Sequence, residues 1–166
     1  MYSPLAIANA IVTVEPGRTP MAVNKLVHLV HGWSLANGRS VVSTEAEVWR
    51  HGPIYREVYR AFANFVHRPI GRTMPYAGTL EVPSVPLDDE WTWMVVRRVL
   101  NHHRNDDELV LSDICHAEDS PWKRVAERHD YSVRVGTTVP EADMFEHFRR
   151  KLSISTGEEA LAARVA

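Results

Sequence analysis

This chain has one cysteine, no long apolar run, no excess of charge of either sign and no glycine-rich loop. Each absence removes a class of protein. Cys115 alone cannot close an internal disulfide, which suits a reducing compartment. No window reaches the roughly 20 apolar residues that a membrane helix requires. The opening segment, Met1 to Ala10, lacks a basic start, and Asn9 breaks its apolar stretch, so it does not read as a secretion signal. A net charge of −2 gives no global attraction to nucleic acid or to a membrane surface. Gly32, Gly38, Gly52 and Gly71 stand apart from one another and fit neither G-x-x-x-x-G-K-[ST] nor G-x-G-x-x-G. No G-x-S-x-G elbow is present. The expectation is a cytoplasmic protein with neither a phosphate loop nor a serine-hydrolase site.

What is present is ordinary in bulk. The 166 residues, 45% apolar and 24% charged, fit one globular domain with its own core. Proline punctuates it. Ser3-Pro4, Thr19-Pro20, Gly52-Pro53 and Ser120-Pro121 each precede a helix-compatible run, and Pro140-Glu141 makes a fifth start. Proline fits the first helical turn, and Ser, Thr or Gly before it can cap. The helix from Thr19 is apolar on most sides, with Val23, Leu26, Val27 and Val30 on one face, and ends at Asn37-Gly38. Its Asn24, Lys25, His28 and His31 read as a polar stripe. A second helix is expected from Pro53 to about His67, with Ile54, Val58, Phe62 and Phe65 at core spacing. A third is expected from about Leu87 to Arg104, with acidic residues at its start and arginines at its end. Shorter helices follow over Glu108–His116 and from Ser120 to about Arg128, then one from Pro140 to Leu152. Ala46 to Trp49 and Thr79 to Val82 read as strands that pair in a small ribbon. The fold expected is a mainly α, single-domain bundle of six to seven helices, residues 1–152, with an Ala-rich tail over 153–166.

No constellation of catalytic groups stands out. The nine histidines include His28 and His31 on one helix face and adjacent His102 and His103, but no H-E-x-x-H or third converging ligand accompanies them. Cys115 precedes His116, yet adjacency in sequence does not aim a base at a thiol, and Leu111 and Ile114 place it on a packed face. Arg39 to Arg72 holds six arginines against three glutamates, with Tyr55 and Tyr59 as stacking platforms if nucleic acid were the target. The same alternation with core residues describes any solvated helix face. Trp33, Trp49 and Trp122 sit at helix ends or elbows, where a large ring locks elements together or anchors a protein interface. No cofactor or bound metal is expected.

These residues carry a resemblance. Thr19-Pro20 through Lys25-Leu26 to His31-Gly32-Trp33 forms the first stretch of it. Glu47-Val48-Trp49-Arg50-His51-Gly52-Pro53-Ile54-Tyr55 with Val58-Tyr59 forms the second. His116-Ala117-Glu118-Asp119-Ser120-Pro121-Trp122 matches a His-x-x-x-Ser-Pro-Trp signature, and Pro140 to Leu152 matches a closing helix. Over roughly Ser3 to Leu152 the chain resembles the Panacea domain family of SocA-like antitoxins. His28-Leu29 stands where the family often has a pair of tyrosines, and Arg68 to Pro86 matches nothing in particular. The resemblance implies a non-enzymatic antitoxin, encoded beside a toxin in bacteria and phages and linked in that setting to phage defence. It implies neutralisation by direct binding, with toxins that include relatives of small alarmone synthetases. The alternative it carries is a proteolytic adaptor that delivers the toxin to an ATP-dependent protease. A His-dependent metal hydrolase is the alternative from another class. Trp49, His51, Tyr55, Arg56 and Arg72 are the expected partner contacts, beside the irregular Arg68–Pro86 segment. Trp33, Gly52, Pro53, Ser120, Pro121 and Trp122 are expected to serve the fold.

Overall fold

The computed structural model describes the backbone of residues 1–165 and side chains through Ile154. Seven α-helices account for most of it, so the protein is mainly α, with one two-stranded antiparallel sheet. Helix α1 spans Pro4–Val14 and α2 spans Pro20–Ala36. The hairpin of β1 (Glu47–Trp49) and β2 (Gly52–Ile54) leads into α3 (Arg56–Phe62), extended by a short 3-10 turn over Ala63–Phe65. A long irregular segment precedes α4 (Glu90–His102). Then come α5 (Glu108–His116), α6 (Pro121–Arg128) and α7 (Glu141–Val165). The expected tail, 153–166, continues as α7 backbone to Val165, and its side chains from position 155 lie outside the described residues.

The helix starts follow from the caps. Ser3 Oγ accepts from the Ala6 amide, Thr19 Oγ1 from Ala22 and Ser120 Oγ from Lys123, each followed by proline in the first turn. Aspartates do the same work for α4 and α5: Asp89 accepts from Thr92, and Asp107 from Leu109 and Val110. The cap moves the start of α4 from the expected Leu87 to Glu90.

Helix α2 is the axis of the molecule, packing against α1, α3, α4, α5, α7 and β2. That enclosure also covers its polar stripe. Asn24, Lys25, His28 and His31 are all buried rather than solvated. Asn24 Oδ1 accepts from the Tyr55 amide at 2.8 Å, and Lys25 Nζ donates to the Pro53 carbonyl at 3.1 Å, so these side chains fasten the hairpin to the axis. Gly32 is obligatory for packing, because a Cβ there would overlap the Phe148 ring of α7.

Two expectations fail at the hairpin. Gly52-Pro53 does not open a helix. It forms β2, which pairs Glu47 with Ile54, Val48 with Pro53 and Trp49 with Gly52 around the two-residue turn Arg50-His51. Gly52, at φ +98°, supplies the left-handed residue by which the chain re-enters the ladder just after the turn. Proline is tolerated because its missing amide costs no ladder bond at that position. The strand partner of 46–49 is therefore β2 and not Thr79–Val82. The outer side of β1 is closed by residues 137–139, through Val48 N to Thr137 O and Val139 N to Ala46 O, both 2.8 Å. The Arg68–Pro86 segment is strapped over α1. Asn9 Nδ2 donates to the Met74 and Pro83 carbonyls at 2.9 Å each, and Ile70 and Val85 are buried.

Candidate functional site

The side chains around the hairpin turn are held from several directions. Trp49 lies 5.0 Å from the Tyr59 ring, and its Nε1 donates to Glu47 at 2.9 Å. Arg56 grips the same carboxylate through Nε at 2.7 Å and Nη2 at 2.5 Å, and its guanidinium sits 5.8 Å from the Trp49 ring centre. That fork holds the Glu47 carboxyl below its usual range. Trp122 Nε1 donates to the Trp49 carbonyl at 2.9 Å, tying the start of α6 to the turn.

A groove lies on each side of this fixed ridge. One, about 460 Å³, is lined by Met21, Ile54, Tyr59 and Val66 with Trp49 as a wall. The other, about 380 Å³, is lined by Val48, Val133 and Val135 with Trp49 again between. Tyr59, Val66 and Val135 are exposed, at 46%, 64% and 90%. Arg50 lines both grooves; His51 and His67 flank the first and Arg134 the second. Of the carboxylates beside this cluster, Glu47 is spent on Arg56, and Glu108 lies 3.9 Å from His67. The face is thus apolar in two strips and basic at its rim, in a chain whose net charge is −2.

The structure brings Trp49, His51 and Arg56 together on this face. Tyr55 is elsewhere: it is 2% exposed and packed in the core, so its side chain offers a partner nothing. Its adjacency to exposed residues in the sequence is misleading, because it is the residue that turns β2 inward before α3. Arg72 lines a separate groove of about 250 Å³ with Phe65 and Arg68. Trp33 packs edge-on against Phe148 at 5.2 Å, Pro121 occupies the first turn of α6, and Trp122 is buried beside His116. Met21, Val66, Val133 and Val135 were not legible as members of the face. They are isolated apolar residues whose exposure depends on tertiary placement.

The other polar concentration lies inside. Burial drives His28 down to about 3, and His31 and His147 to about 4, so all three are neutral near pH 7. Burial pushes the Cys115 thiol up to about 11, which leaves it a packed, protonated group. Lys25 is lowered to about 8 by burial. Among the described residues, no group of three or more His, Cys, Asp or Glu is placed to hold a metal ion. No helix among the described residues is long and apolar enough to cross a membrane.

Comparison with known proteins adds one relative. The chain is 28% identical to Antitoxin SocA of Caulobacter vibrioides (strain NA1000 / CB15N) over 142 residues, covering 81% of this chain and 74% of that protein. No protein-family model matches the chain, and no solved structure matches it.

Proposed function

We propose that this chain is an antitoxin that silences a cognate protein toxin by binding it directly, and that it carries no catalytic activity of its own. The observation that carries the reading is the similarity to Antitoxin SocA along most of both chains. The fold offers a compatible device in the hairpin face, where two apolar grooves flank a ridge locked by Glu47, Arg56 and Trp122. A pre-organised ridge loses little conformational entropy on association, and aromatic and arginine side chains are the usual anchors of tight interfaces. Nanomolar affinity, about 12 kcal/mol, suffices to keep a toxin silent at cellular concentrations. The contacts we assign are Trp49, His51 and Arg56 from the expected set, with Arg50, Tyr59 and Val66 beside them. The toxin kind, including a small alarmone synthetase relative, belongs to this proposal, as does a soluble cytoplasmic setting.

The test is growth. The open reading frame next to this gene is expressed alone and then with this protein. Toxicity alone, rescue together and a co-purifying complex are expected. Rescue without a complex would replace sequestration by delivery to a protease, and a harmless neighbour would remove the reading's main support.

A further inference from the structure

A cavity of about 270 Å³ lies between α2, α5, α7, the end of α4 and the start of α6. It is distinct from the hairpin face. Its polar lining is Lys151, Ser120, Cys115 and four histidines, 28, 102, 103 and 147, and no carboxylate takes part. Two of these histidines already face carboxylates from outside the lining, His103 with Asp106 at 2.7 Å and His147 with Asp119 at 3.5 Å, and Asp119 is shared with Arg150 at 2.7 Å. His28, 2% exposed, has no hydrogen-bond partner for Nδ1 among the described residues. A buried polar atom left unpaired is costly, and this one belongs to a ring that lines the cavity. Ser120 and Pro121 bring the positive end of the α6 dipole to the same space. The remaining walls, Leu29, Trp33, Ile114 and Phe148, are apolar.

We propose that this cavity binds a small organic oxyanion, its carboxylate or phosphate head held by Lys151 and the imidazoles and its compact apolar body set against Trp33 and Phe148. Binding draws in a proton. His147 donates from Nδ1 to the Asp119 carbonyl at 2.9 Å, so in the neutral ring Nε2 carries only a lone pair. It faces Lys151 and Arg150 on its own helix, Asp119 before α6, and His28 on α2. Burial opposes its protonation first and the cations add to that, while Asp119 favours it; an anion in the cavity tips the balance, turning Nε2 into a donor. The apolar walls exclude a bare ion as the best fit and favour a ring or short chain behind the charged head.

Calorimetric titration and thermal unfolding of the full chain with benzoate and phenyl phosphate test this, with benzyl alcohol and chloride of equal ionic strength as controls. Both anions are expected to bind and stabilise, benzyl alcohol to do neither, and benzoate to bind several-fold more tightly at pH 6 than at pH 8. Lys151→Gln and His102→Gln are expected to weaken benzoate roughly ten-fold, and Arg72→Gln to leave it unchanged. The proposal fails if neither anion binds or if the neutral alcohol binds as well. It fails equally if affinity ignores pH, or if Arg72→Gln matters as much as Lys151→Gln.

Discussion

Two residues on α2 show how much the centre of this protein depends on single side chains. Gly32 leaves room for Phe148, and a methyl group in its place has only ring atoms to displace. Gly32→Ala is expected to cost about 1–3 kcal/mol, as overpacking does, read as a lower urea midpoint with an unchanged slope. Lys25 is a buried ammonium that donates a hydrogen bond to the Pro53 carbonyl. Its pKa, about 8 in the folded state, lies below the ordinary 10.5, so between those values the unfolded chain binds more protons and stability rises with pH. Cys115 works in the opposite sense above its ordinary value of 9, because its folded pKa is raised to about 11. The rise is therefore expected between pH 8 and 9, at about 1 kcal/mol. Urea unfolding should show it, and Lys25→Met should remove it.

At the scale of elements, α2 and α7 carry buried neutral histidines into the core. His28, His31 and His147 have folded pKa values of about 3, 4 and 4, below the unfolded 6.5, so as pH falls below 6.5 the unfolded chain takes protons that the folded one refuses. Stability present above pH 6.5 is lost toward pH 4. The three together should remove on the order of 4 kcal/mol by pH 5.5, and an unfolding midpoint that does not move between pH 7 and 5.5 would refute this. The sequence announces the elements better than their surroundings. Ser3, Thr19 and Ser120 with their prolines mark three helix starts, because capping is local chemistry. Asn24, Lys25, His28 and His31 read as a polar stripe, but periodicity places residues on a face without saying what covers it, and here the hairpin, α5 and α7 do. Gly52-Pro53 reads as a helix start for a similar reason. Proline suits both a first turn and a strand, and only the pairing of Gly52 with Trp49 decides. Trp49, His51 and Arg56 were identifiable as neighbours along the chain, whereas Val133 and Val135 reach the same face from a distant part of the chain by a fold the sequence does not display.

For the whole molecule, the proposed docking face makes a graded prediction. Arg50→Glu and Tyr59→Ala should each weaken the toxin complex at least ten-fold, about 1.4 kcal/mol or more, mainly through faster dissociation. Arg72→Glu, on a separate groove, should weaken it less. Equal losses at all three positions, with unfolding unchanged, would move the interface away from the hairpin. The way the sheet is closed has a further bearing on recognition. Residues 137–139 occupy the outer side of β1, while Asn24 and Lys25 take the groups that β2 and Tyr55 turn toward α2. A partner therefore finds no open backbone edge on this sheet on which to add a strand. Recognition must be written in side chains, and side chains on a locked ridge can be exchanged one at a time without rebuilding the scaffold. Such a surface can follow a changing opponent by point substitution, and lineages that diverge at the turn while keeping its glycine are what this architecture leads one to expect.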